Sequence, residues 1–273
     1  MWGSFQAELT KVVKRPASWL LLALALSLML IFAYLVRYAS YAGGTGGVNT
    51  AGGLAVMLPD RLVGNSIGGL PVFLGALVLI HGVLVAGGEY GWGTWKTVLV
   101  QGPSRLTVYG AKLLALAVAN VALMLAMFGV GAVASATIAA AENQPLAWPS
   151  IGDLAIGFGA GWLIASMWTG LGVLLAVLLR GVALPIGLGL VWMLAVQNLL
   201  ASIAAPLLDV VATAQKGLPG PNAGSLTAAL GSATTTPGVE RIVGSGQAAI
   251  VVAVYLVAFA ALGGVLLRRR DVV

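Results

Sequence analysis

Few residues of this chain can do chemistry, and several of them gather in one stretch. "GGEYGWGTWKTVLVQGPSRLTVYGAK", Gly87 to Lys112, holds Glu89, Lys96, Arg105 and Lys112 together with Trp92 and Trp95. The whole chain of 273 residues has only 8 Asp plus Glu and 14 Lys plus Arg, so this concentration needs a reason. Metal and thiol chemistry have little to build on. Cysteine is absent, and His81 is the single histidine, with no second histidine or acid at helical spacing. Packing or an interhelical hydrogen bond is the role expected for it. No Ser, His and Asp constellation offers acyl transfer. No G-x-x-x-x-G-K-[ST] loop is present to cradle phosphates, so the chain is expected to be no enzyme and to carry no cofactor of its own. What the stretch can do is recognise a partner. Trp92, Trp95 and Leu99 recur at helical spacing, predicting a short helix from about Glu89. Its aromatic side would rest at the membrane surface, with Thr94 and Lys96 presented to the aqueous side. Gln101-Gly102-Pro103 should end it, and Ser104 is placed to cap the next helix. Such a segment is a stiff polar handle joined directly to two apolar runs.

Those runs decide the fold class. With 60% apolar and 8% charged residues, against about 25% charged in an ordinary soluble domain, the chain cannot cover a globule with polar surface. It reads as an all-α, polytopic membrane protein. Six stretches are long enough to cross a bilayer as helices: Ala17 to Val36, Leu62 to Gly88, Leu113 to Ala141, Leu154 to Leu179, Gly181 to Leu208 and Ile242 to Leu267. They are too long and uniform for the alternating strands of a barrel. Only Arg180 and Gly181 separate the fourth from the fifth, where a tight turn before Pro185 is expected. The alternative, one helix of more than fifty residues, would overshoot the bilayer.

Orientation follows from the basic residues. With the N-terminus cytoplasmic, Lys11, Lys14, Arg15, Lys96, Arg105, Lys112, Arg180, Arg268, Arg269 and Arg270 lie inside. Arg37, Arg61, Lys216 and Arg241 then lie outside. Both termini are therefore expected in the cytoplasm, in a cell membrane, plasma or inner. The net charge of +6 is explained by this asymmetry and gives no reason to expect nucleic acid. The first run follows a basic start without a suitable cleavage site and reads as a retained span. Of the outer loops, residues 209–241 form the longest, with Pro-Gly turns around a short helical possibility at Ser225 to Leu230. No internal repeat is evident.

At the start, Trp2, Phe5, Leu9, Val12 and Val13 fall on one helical face, with Ser4, Gln6, Glu8, Lys11 and Lys14 mostly elsewhere. Residues 1–16 are thus expected to lie in the interface, apolar face down and lysines toward headgroups, before Pro16 turns the chain into a domain of six spans over 17–273.

An acid, then Gly-Thr, a lysine, Pro-Ser-Arg and a lysine at the next span now stand in order as Glu89, Gly93-Thr94, Lys96, Pro103-Ser104-Arg105 and Lys112. With the amphipathic start and the basic close "RRRDVV", the pattern resembles the membrane subunits of ABC-2 type transporters. That resemblance implies an N-terminal elbow helix and a coupling helix within 87–112 that docks on a separate ATPase. Glu89, Thr94, Lys96 and Arg105 are its coupling residues. It further implies two ATPase subunits, which hold the ATP and Mg2+, a second membrane subunit, like or unlike, and short re-entrant helices within 209–241.

The spans lack central charges, which argues against an ion or proton pathway. Asn120, Ser166, Thr169, Gln197 and Asn198, with Trp162, Trp168 and Trp192, could line a path for an amphipathic or aromatic molecule; interhelical packing is the alternative. The expected function is a permease exporting a hydrophobic or amphipathic compound, in contact with membrane lipid. Two other readings stay open at this point: an ATP-independent secondary transporter, and a membrane anchor or mechanotransmitter for an ATPase.

Overall fold

In the structure, a computed structural model, residues 2–44, 52–91, 93, 104–200, 203 and 207–269 are described; of Asn198 only the backbone is. All regular structure among them is helical. Helix α1 is Trp2–Lys14. Arg15 is extended, and Pro16, whose missing N–H costs nothing in a first turn, opens α2, Pro16–Ala42, which passes through a π-helical stretch at Leu30–Leu35. Then follow α3, Leu62–Ile67, α4, Phe73–Gly91, α5, Arg105–Ala141, and α6, Ile151–Leu179. Helix α7, Ala183–Val196, runs on into Gln197–Leu199; α8 is Asp209–Ala214, α9 is Pro219–Ala229 and α10 is Ser245–Arg269.

Among the described residues, five helices, α2, α4, α5, α6 and α10, are long and apolar enough to cross a membrane by length and composition, and α7 is a shorter apolar helix. The expected turn between the fourth and fifth runs is present. Arg180 adopts a left-handed conformation with φ of 52°, and Pro185 sits in the first turn of α7, where no intrahelical bond is lost. Two expectations need correction. Leu62 to Gly88 is not one continuous helix: it breaks between α3 and α4, where "GGLPV" combines two flexible glycines with Pro71, which cannot donate to Ile67. The chain shortens there into one tight turn, with the Leu70 amide 3.0 Å from the Ile67 carbonyl. The helix expected at Ser225 to Leu230 instead starts at Pro219 and is almost wholly buried, Asn222 and Thr227 included.

Packing explains why α9 is buried. It lies along α10 and reaches α3 and α6. The Ser225 hydroxyl donates to the Glu240 carbonyl at 2.9 Å and accepts from the Ile242 amide at 3.1 Å, so the return strand of chain is tied down. Next to α9, Ser232 donates to the Gly64 carbonyl at 2.8 Å.

The centre of the bundle is the α4–α6 pair. In the most apolar stretch of each, 67% of residues are buried, against 17% in α2 and 22% in α10. Glycine makes this possible: a Cβ on Gly82 would fall on the Thr169 carbonyl, and one on Gly172 on the Leu79 carbonyl. Two backbones in contact gain dispersion where lipid removes any hydrophobic drive for helices to associate. Gly172→Val is accordingly expected to destabilise the fold by about 1–3 kcal/mol or more through overpacking. A thermal unfolding curve in detergent unchanged from the native protein's would contradict that close approach.

Candidate functional site

Helix α4 ends at Gly91 and α5 starts at Arg105, so these two helices frame the stretch on which the sequence places its recognition residues. Trp92, Thr94 to Pro103, and with them Thr94 and Lys96, lie outside the described residues. Both ends of the stretch are described. Ser104 caps α5 as expected: its hydroxyl accepts from the Thr107 amide at 3.2 Å, which satisfies one of the free N–H groups of a first turn. Arg105 reaches the Leu267 carbonyl at 3.4 Å, and Tyr109 donates to the Ala260 carbonyl at 2.9 Å, joining the start of α5 to α10.

Glu89 is not on the surface. It is 4% exposed, in the last turns of α4, and belongs to a cluster of four charges from three helices. Lys112, 1% exposed, directs its ammonium to Glu8 Oε2 at 2.6 Å, to Glu89 Oε1 at 3.0 Å and to the Val85 carbonyl at 3.3 Å. Lys11 reaches Glu8 Oε1 at 2.6 Å and Glu89 Oε1 at 2.9 Å. Two carboxylates thus meet two ammonium groups, and charge is balanced within the cluster. Such balance is required, since an isolated ion taken from water costs several kcal/mol. Half-burial pulls the Lys11 pKa down, but its hydrogen bonds to Glu8 and Glu89 and their charges outweigh that, so the net shift is upward from 10.5. Lys11 therefore stays an ammonium at neutral pH.

The cluster gives α1 a second, protein-facing side. Glu8 is 2% exposed beside Val12, while Trp2 and Val13 of the apolar face are 70% and 52% exposed. The helix packs on α5 with a stripe centred on Glu8, because Lys112 there demands a carboxylate. One signal could have found this. Glu8 is the sole acid in the first 59 residues, and Lys112 is a lone lysine about two turns into α5, at the start of an apolar run. Arg15 adds a second tie, donating to the Leu84 carbonyl. The stretch between α4 and α5 is thus rooted in α1, α4 and α5 through charge, and in α10 through Arg105.

The residues considered for a path divide. Asn120, 2% exposed on α5, donates to Ser166 Oγ at 3.3 Å and Thr169 Oγ1 at 3.2 Å on α6. Thr169 also reaches the Val78 carbonyl at 3.3 Å, so this group bonds three helices together. Trp162 donates to the Ala117 carbonyl at 3.0 Å. Trp168 is fully buried, close to Gly75 and Met193. Trp192 stands apart from them. With Tyr255, Phe259 and Pro219 it lines an apolar cavity of about 440 Å3 bordered by α6, α7 and α10. Gln197, 6% exposed, follows on the same helix against Gly220, and its amide has no hydrogen-bond partner among the described residues.

A comparison with protein families matches residues 4–196 to the family described as ABC-2 family transporter protein. No curated protein matches the chain. The matched region begins at the helix that carries Glu8 and includes all four members of the charge cluster.

Proposed function

The chain belongs to the ABC-2 family of transporter proteins, and from that premise we propose that it is the membrane-spanning permease of a transporter driven by ATP hydrolysed on a separate ATPase. The observation that carries this reading is the way the 92–103 segment is anchored. Its two flanks, Glu89 and Lys112, are clamped to each other and to α1 by buried charge. A force applied to the segment would then move α1, α4 and α5 as one body, as a coupling element must.

In this reading α7 completes a bundle of six spans, α1 is the elbow helix at the cytoplasmic face, and both termini are cytoplasmic. Thr94 and Lys96 meet the ATPase directly, with Arg105 at the edge of the contact. Glu89 works from inside, as the residue that positions the segment. Two membrane subunits and two ATPases make the assembly, with ATP and Mg2+ on the latter. The cargo is hydrophobic or amphipathic and is exported. The aromatic cavity beside Trp192 and the absence of charge from the middle of the long helices support that class. Asn120, Ser166 and Thr169 are already consumed by one another, which leaves Trp192 and Gln197 as the better candidates for contact with cargo.

The deciding experiment is a pull-down of the tagged protein from its native membrane under mild detergent, with ATPase assay of what accompanies it. A stoichiometric ATP-hydrolysing subunit is expected. Protein recovered alone, and transport that follows an ion gradient instead of ATP, would overturn the reading in favour of secondary transport.

A further inference from the structure

The lining of the cavity beside Trp192 is unusual in kind. Three of its ten described residues are aromatic, Trp192 on α7 with Tyr255 and Phe259 on α10, in a chain that is 7% aromatic overall. The other seven are leucine, valine or proline, so no charged side chain lines it among the described residues. Tyr255 and Phe259 stand one turn apart, with ring centroids 5.5 Å from each other and planes tilted by 47°. Trp192 enters from Val191–Val196, where α7 widens into a π-helix, a geometry that recurs at functional sites. The cavity also reaches the outside of the bundle, since Leu188 and Val191, which line it, are 52% and 57% exposed.

Two of these rings carry polar groups. Neither the Trp192 N–H nor the Tyr255 O–H has a hydrogen-bond partner among the described residues. Elsewhere in the chain such groups are spent on protein: Trp19 donates to the Val13 carbonyl, Trp162 to the Ala117 carbonyl, Tyr38 to Glu142 and Tyr109 to the Ala260 carbonyl. Indole and phenol groups away from water ordinarily find a partner, because an unpaired donor in an apolar medium is costly. An indole N–H can only donate, and a tyrosine O–H can donate too, so an acceptor oxygen meets both needs.

We propose that this cavity takes an uncharged aromatic compound bearing a carbonyl oxygen, with its rings packed on Trp192, Tyr255 and Phe259 and its oxygen accepting from the Trp192 N–H or the Tyr255 O–H. The occupant's role as cargo rests on the permease reading, whose broad class of hydrophobic or amphipathic compounds it narrows. A charged compound would find no counter-ion on the wall. A saturated chain would leave both donors unpaired and forgo the ring contacts, each worth about fivefold in affinity.

The test photolabels the full-length protein in detergent with benzophenone, itself an uncharged diaryl ketone, and locates the label by mass spectrometry of peptides. Label is expected on the peptides that hold Trp192 or Tyr255 and Phe259. Fluorenone should suppress it at about fivefold lower concentration than fluorene, which lacks the oxygen, or dicyclohexyl ketone, which lacks the rings. Trp192→Phe combined with Tyr255→Phe keeps the rings and removes both donors, so it should cancel the advantage of fluorenone over fluorene. Leu188→Trp fills the cavity from an exposed position and should abolish the suppressible label, a second check if the double variant melts early. Equal suppression by all three competitors would overturn the proposal, as would label elsewhere, or a preference for fluorenone that survives in the double variant. Binding needs no ATPase, so these failures would leave the pull-down result standing. Protein recovered without an ATPase would in turn leave the site and remove only the occupant's role as cargo.

Discussion

Lys112→Met is expected to remove about 3–5 kcal/mol of stability, the cost of leaving buried charge without its partner. The ammonium lost is the one that Glu8 and Glu89 share within the bundle, at 1% exposure, and Lys11, 43% exposed, would remain as their cation. Removing the whole set of buried charges should be far milder, because an apolar cluster of similar volume replaces an ion cluster at little net cost. Lys112→Met combined with Glu8→Met and Glu89→Met is therefore expected to recover most of the lost stability. The measurement is the unfolding midpoint in detergent of the native, single and triple variants. A single variant within about 1 kcal/mol of the native protein, the value of an exposed ion pair, would show that these charges are solvated and clamp nothing.

The second large effect should appear in coupling and leave stability alone. Lys96→Glu places a like charge against whatever acidic group the ATPase offers, a juxtaposition worth several kcal/mol. Recovery of ATPase activity with the purified permease is expected to fall about tenfold or more, while the unfolding midpoint stays where it was. Glu89→Gln is expected to lower both together, since Glu89 acts through the position of the segment. The contrast separates a residue that touches the partner from one that holds the segment in place. Full ATPase recovery with Lys96→Glu would remove Lys96 from the docking surface. A Glu89→Gln variant that lost the partner without losing stability would return Glu89 to it.

How far the fold could be read from sequence varied by element, for identifiable reasons. The long helices were visible because apolar runs of that length have few other uses, and the turn at Arg180 because a single charge and a glycine interrupt one. The break at "GGLPV" was hidden, since Gly68, Gly69 and Pro71 leave the apolar run unbroken while they end the helix. Helix α9 was underestimated for the opposite reason. "PGPNAGSLTAA" has the composition of a surface turn, and only its contacts with α10 and its tie at Ser225 make burial of so many small polar residues affordable.

The candidate site shows the same division. Glu89, Arg105 and Lys112 stood out because charge is rare in this chain. Their environments did not, because the partner of Lys112 is 104 residues away in Glu8. A helical wheel can say that Glu8 departs from an apolar face. It cannot say that another helix brings an ammonium to meet it. By itself the sequence determined an all-helical chain made for lipid, from composition and run length, and pointed to family membership through the spacing between Glu89 and Lys112. The tertiary structure alone decided that Glu89 is buried, that α1 is pinned by charge, and that Asn120, Ser166 and Thr169 spend their hydrogen bonds on each other. Hydropathy is a property of each segment and survives in the sequence, whereas electrostatic pairing is a property of two segments and exists only once they meet.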